Sequence, residues 1–218
     1  MDRLIEAIED KQNPSVVGLD PTEALVPKQV VASFAEEIAE QVEDPTEAPA
    51  AQLSVAFFEF NRAIIDAVAD IVPAVKPQIA MYEALGPAGI DAYSMTCEYA
   101  KQQGLYVLGD VKRGDIGSTA AAYAHHLNGV GDFDPWHEDA VTVNPYLGTD
   151  GITPFVDAAT AFAAMVGKPS TGAPAVNYVE AGDWWENQSL PSLQDSALPA
   201  DLVDDFKQMT DDAEEAKA

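Results

Sequence analysis

The residues best suited to chemistry are Asp110, Lys112 and Asp115, set in the run Asp110-Val111-Lys112-Arg113-Gly114-Asp115, together with Lys76, which closes the apolar run Ala74-Val75-Lys76. Side chains alternate along a strand, so Asp110 and Lys112 are expected on one face. Burying charge is costly unless the charges pair. Two lysines and two aspartates at neighbouring strand tips would hold one another in an alternating network. Such a network presents an ammonium that can donate a proton and can sit beside a developing negative charge. The same four residues also fit a structural ion-pair network at the rim of a sheet.

The elements that must position these groups follow from the apolar pattern. Short apolar runs alternate with longer amphipathic ones, which predicts an α/β fold with a parallel sheet. The strands are expected at Ser15–Asp20, Ala74–Lys76, Leu105–Lys112 and Ala140–Asn144. Helices are expected around Val31–Val42, Val55–Ala69, Gly89–Gln103 and Thr119–Asn128, the last with Ser118 as N-cap, and a Pro/Ala-rich break separates the first two at Asp44–Ala50. Ala161–Val166 reads as a fifth strand with helix as the open alternative, and Ala175–Val179 as a sixth strand. The segment 183–198 is polar with two tryptophans, and 200–218 reads as an acidic helix. Each of the first four strands ends in a polar or charged residue followed by a turn signal. In a (β/α)8 barrel the C-terminal strand ends carry the chemistry.

Other conspicuous residues read more plainly. Gly117-Ser118-Thr119 precedes a helix and could offer backbone N–H groups to an anion, but an ordinary helix start explains it as well. His125, His126 and His137 have no metal-ligand spacing and are expected as solvated or interfacial residues. Trp136, Trp184 and Trp185 are expected to pack. No phosphate-cradling or dinucleotide fingerprint occurs.

Composition narrows the partners. The chain of 218 residues carries 37 acidic and 11 basic residues, a formal net charge of −26. Such a surface repels nucleic acid and anionic membranes, so neither is an expected partner. The acidity also fits adaptation to high salt, where screening relieves self-repulsion. No apolar run reaches the roughly 18 residues of a membrane span. The N-terminus is charged and amphipathic, unlike a secretory signal, and Cys97 is the only cysteine, so a cytoplasmic location is expected.

Four ordered segments together resemble the orotidine 5′-phosphate decarboxylase family, in its longer bacterial-type branch. They are 17–21 (VGLDP), 74–83 (AVKPQIAMYE), 110–124 (DVKRGDIGSTAAAYA) and 140–148 (AVTVNPYLG), and the likeness covers about residues 15–157. The resemblance implies one (β/α)8 TIM-barrel domain over 1–218, with atypical last strands in 158–218. It implies a homodimer, no metal and no organic cofactor, and the conversion of orotidine 5′-monophosphate to uridine 5′-monophosphate and carbon dioxide.

By matching motif, Lys112 would protonate C6, Asp110 would face the substrate carboxylate, and Lys76 would hold the network. Asp115, with Ile116 and Thr119, would be lent across the dimer. Asp20 would bind ribose hydroxyls. In the tail, Ser170 stands where the family has a pyrimidine-contacting loop, and Gln194 matches a family glutamine. The family's last two strands, with their glycine-rich phosphate turn and arginine, have no counterpart, and no arginine follows Arg113. Two other readings share the motif: a non-catalytic nucleotide-binding relative, and a metal-dependent barrel enzyme acting on a sugar phosphate.

Overall fold

In the computed structural model, residues 2–165 are described. Their four strands, β1 (Val16–Leu19), β2 (Ala74–Pro77), β3 (Tyr106–Arg113) and β4 (Ala140–Val143), form one parallel sheet in the order β1-β2-β3-β4. Parallel neighbours need a crossover between them. Helices supply it: α1 (Asp2–Lys11) precedes β1, and α2 (Lys28–Ser33), α3 (Ala35–Gln41) and α4 (Ala48–Val68) link β1 to β2. Next come α5 (Ile79–Glu83) and α6 (Pro87–Gln102) before β3, α7 (Gly117–Tyr123) and α8 (His125–Asn128) before β4, and α9 (Thr149–Met165) after it. The spatial order never reverses, which is the layout of consecutive units of a barrel rather than of a doubly wound sheet.

The core lies between the sheet and its helices. Leu19, Val75, Val107 and Val111 pack with Ile65, Tyr82, Tyr93 and Cys97, all buried. Tyr82 and Tyr93 meet edge to face with centroids 5.2 Å apart, tying α5 to α6. A second cluster, Ala120, Ala124, Leu127, Phe155 and Ala158, joins α7, α8 and α9 through small residues that let the helices approach closely.

Several local expectations are corrected. The helix expected over Val31–Val42 is two helices, divided at Phe34, whose backbone (φ −99°, ψ 0°) leaves helical geometry. The apolar helix expected from Val55 starts at Ala48, because Pro49 is tolerated in a first turn, where its missing N–H is an orphan in any case. The helix after β3 starts at Gly117 with Ile116 as its N-cap residue, so Ser118 lies inside the first turn and caps nothing; that helix also divides at Ala124. Ala161–Met165 belongs to α9, so its alanines follow their helix propensity and the fifth strand is absent there. The sixth strand and the terminal helix lie outside the described residues.

His126 is buried within the chain, against the expectation of a solvated or interfacial ring. It stacks on Trp136 at 4.2 Å, and its Nδ1 lies 2.9 Å from Glu138 Oε2. Tyr93 donates its hydroxyl to Glu138 Oε1. This buried trio sits behind β3, where Gly109 leaves room for it: a Cβ on Gly109 would lie 2.1 Å from Glu138 Oε1.

Candidate active site

The C-terminal ends of β2 and β3 bring the chemistry together. β2 aligns with β3 so that Ala74 faces Tyr106 and Val75 faces Val107, and one residue beyond β2 Gln78 bridges to Asp110. That register sets Lys76 and Gln78 beside the aspartate. Lys76 Nζ donates to Asp110 Oδ2 at 2.7 Å and Gln78 Nε2 donates to the same oxygen at 2.9 Å. Lys112 Nζ reaches Oδ1 at 2.5 Å, and the Thr142 hydroxyl donates to Oδ1 at 2.9 Å. Four donors thus converge on one carboxylate that is only 6% exposed.

The electrostatics follow. Burial pushes the Asp110 carboxyl up, but the hydrogen bonds from Lys112, Lys76 and Thr142, with the charge of Lys76, outweigh it and hold the group at about 2. The aspartate is ionised at neutral pH and anchors two ammonium groups of different exposure. The Lys76 side chain is 32% exposed and that of Lys112 is 62% exposed. Lys112 is therefore the cation presented to the open side.

Lys112 does not reach Asp110 by plain strand alternation. Gly109 pairs with Val141 and Arg113 pairs with Val143, so three residues of β3 oppose the single Thr142 of β4. Within this bulge Lys112 adopts φ +46°, a left-handed backbone that costs a side-chain-bearing residue about 1–2 kcal/mol. Its N–H donates to Thr142 Oγ1 at 2.9 Å. Just beyond, Arg113 pairs with Glu83 and lies over the Tyr123 ring, 5.4 Å from its centroid, which ties the end of β3 to α5 and α7.

The remaining expected site residues take separate places. Asp20 is exposed just past the end of β1, on the strand next to β2. Asp115 sits in the β3–α7 turn and accepts the Ile116 N–H at 2.7 Å. Ile116 is 62% exposed, and Thr119 lies half-buried in the first turn of α7. Ser170 and Gln194 lie outside the described residues. Gln78 and Thr142 were not expected to contact Asp110. Gln78 carried a legible signal, following Lys76-Pro77 in the matching motif; Thr142 carried none, because only sheet pairing brings it to Asp110. Among the described residues no group of three metal-ligating side chains stands ready for a metal ion, and no helix is long and apolar enough to cross a membrane.

A sequentially ordered parallel βα sheet with its charged cluster at the C-terminal strand tips defines the class: an α/β chain of the (β/α)8-barrel kind, a fold that carries its chemistry on that face. The chain belongs to the orotidine 5′-phosphate decarboxylase / HUMPS family, whose model matches residues 14–213, a span that includes most of the tail. An orotidine 5′-phosphate decarboxylase of Rhodopirellula baltica is 45% identical over 143 residues, covering 65% of this chain and 44% of that protein. Its counterpart in Clostridium novyi is 37% identical over 187 residues, covering 84% of this chain and 58% of that protein. The chain thus spans about half the length of these curated relatives. Among solved structures, a Streptomyces avermitilis protein provisionally named an orotidine 5′-phosphate decarboxylase matches with TM-score 0.54 and 32% identity, over 72% of this chain and 48% of that one. A Toxoplasma gondii protein, provisionally named an orotidine-monophosphate-decarboxylase, matches with TM-score 0.55 and 31% identity, over 72% and 44%.

Proposed function

We propose that this protein decarboxylates orotidine 5′-monophosphate to uridine 5′-monophosphate, as a carboxy-lyase of pyrimidine biosynthesis. The observation that carries this reading is the buried, ionised Asp110 held between Lys76 and the exposed ammonium of Lys112. As the bond from C6 to the carboxylate carbon breaks, its electron pair stays on C6 and carbon dioxide departs. The carbanion needs a fixed cation and a proton, and Lys112 supplies both: its Nζ proton forms the new C6–H bond, and the amine regains a proton from water. Asp110 opposes the substrate carboxylate; two carboxylates at close range repel, and the repulsion is relieved as carbon dioxide leaves. Lys76 keeps Asp110 ionised and in place, and contacts to the substrate phosphate, remote from C6, would supply binding energy used at the reacting carbon.

The further parts of this reading are that Asp20 binds ribose hydroxyls and that Ser170 and Gln194 contact the base. Asp115, with Ile116 and Thr119, completes the site of a second copy in a homodimer. The turn position of Asp115 and the exposure of Ile116 support that last part. The proposed location is the cytoplasm, in keeping with the single cysteine, Cys97.

The test is release of carbon dioxide from carboxyl-labelled substrate, at low and at molar salt. Lys112→Ala is expected to lower kcat by at least about 100-fold, the lower range for losing a general acid, with an unchanged circular dichroism spectrum. Wild-type turnover no greater than that of Lys112→Ala, under both salt conditions, would overturn the proposal. Nucleotide binding without turnover would instead favour the non-catalytic reading.

A further inference from the structure

We propose that the hydroxyl of Thr142 is the positioning group for Lys112: it locks the left-handed backbone that aims the lysine and, through the same oxygen, fixes the Asp110 carboxylate. The inference rests on the decarboxylase reading for the step that is positioned; the geometry stands apart from it.

Three observations meet at this one oxygen. Thr142 is the lone β4 residue opposite three residues of β3, so it faces the bulge alone. The Lys112 N–H, which a regular ladder would give to a strand carbonyl, goes to Thr142 Oγ1 at 2.9 Å. The hydroxyl proton goes to Asp110 Oδ1 at 2.9 Å, the oxygen that Lys112 Nζ approaches at 2.5 Å. A hydroxyl has one proton to give and two lone pairs to accept with, so it can make both bonds together. The result is a closed ring: Lys112 backbone, Thr142 hydroxyl, Asp110 carboxylate, Lys112 ammonium.

The ring explains how a lysine persists at φ +46°. Such conformations survive where surrounding contacts over-determine them, and they cluster at sites whose function uses the strain. Valine has nearly the shape of threonine and makes neither bond. With valine at 142 the Lys112 N–H loses its partner, the bulge is free to relax toward an ordinary strand, and the ammonium drifts from its aim. Thr142 itself is not placed against substrate, so substrate binding is spared.

The experiment compares Thr142→Val, Thr142→Ala and Thr142→Ser in the full chain. It measures kcat and KM for orotidine 5′-monophosphate and follows by NMR the Lys112 amide and, as pH is lowered, the Asp110 carboxyl carbon. The expected result is a kcat lowered about 10- to 100-fold in Thr142→Val and Thr142→Ala, the scale of a small misplacement of a reacting group, with KM within about twofold. In both variants the Asp110 midpoint rises, since a donor to the charged form is gone. Thr142→Ser restores kcat and the wild-type midpoint. Unchanged kcat and midpoint in the folded hydroxyl-free variants would overturn the proposal, and so would a serine variant as impaired as valine. If the wild type shows no decarboxylation, the reaction assignment fails, yet the positioning claim is still decided by the Lys112 amide and Asp110 carboxyl signals together: both moving in Thr142→Val and both returning with serine upholds it, and an unmoved Lys112 amide or an unmoved Asp110 midpoint refutes it.

Discussion

Replacing Asp110 with asparagine removes the one anion that two lysines share, and the structure gives the size of the effect. The carboxyl is held at about 2, against 3.8 for an ordinary aspartate. A depressed folded-state value means that the folded protein prefers the ionised form. The stabilisation is complete above the unfolded value and is lost as pH falls through the folded value. At about 1.4 kcal/mol per pH unit of difference, the contribution at pH 7 is about 2 kcal/mol. By the same linkage it should fall to roughly half near pH 3. Wild type and Asp110→Asn compared by urea unfolding should therefore differ by about 2 kcal/mol at pH 7, with the gap closing as pH drops from about 4.5 to 3. Because Lys112 is largely exposed, molar salt should shrink the gap, while the share from the less exposed Lys76 persists. A gap that stays constant with pH, or its absence at pH 7, would refute the claim that the two lysines hold Asp110 ionised.

Three further outcomes are expected. Mixing inactive Lys112→Ala with inactive Asp115→Ala should regain about a quarter of wild-type activity, since random exchange makes half the dimers hybrid, each with one intact site; no regain after subunit exchange would rule out a shared site. Gly109→Ala should lose about 1–3 kcal/mol in urea unfolding, because the added Cβ would lie 2.1 Å from Glu138 Oε1, which Tyr93 holds while His126 holds the other oxygen of the same carboxylate; a neutral effect would show that the buried trio can give way. Cys97 is fully buried, and burial pushes its thiol up, so iodoacetamide at pH 8 should label it only after unfolding; fast labelling of native protein would contradict the packing around Tyr93.

Much of the frame was legible in the sequence. The four strands lie where apolar runs end in a polar residue and a turn signal, because a buried parallel strand needs a continuous apolar stretch and its tip meets solvent. The helix boundaries were less legible. Pro49 reads as a breaker, yet in a first turn it costs no hydrogen bond. Phe34 and Ala124 carry no breaking signal, yet the chain divides there. His126 reads as solvated or interfacial because nothing local to it announces Glu138 and Trp136, which lie on the far side of a loop and meet it only in the folded chain.

The sequence by itself determined the cast of the site: Asp110 and Lys112 two apart on one strand, Lys76 at the tip of another, and the ordered motifs that mark the family. Alternation and apolar patterning are local properties, so they survive being read in one dimension. Only the tertiary structure decided how those charges are used. The register of β2 on β3 brings Lys76 and Gln78 to one oxygen of Asp110, and the bulge opposite Thr142 swings Lys112 to the other. Strand register and backbone handedness are set by contacts between segments thirty or more residues apart, which no local pattern encodes.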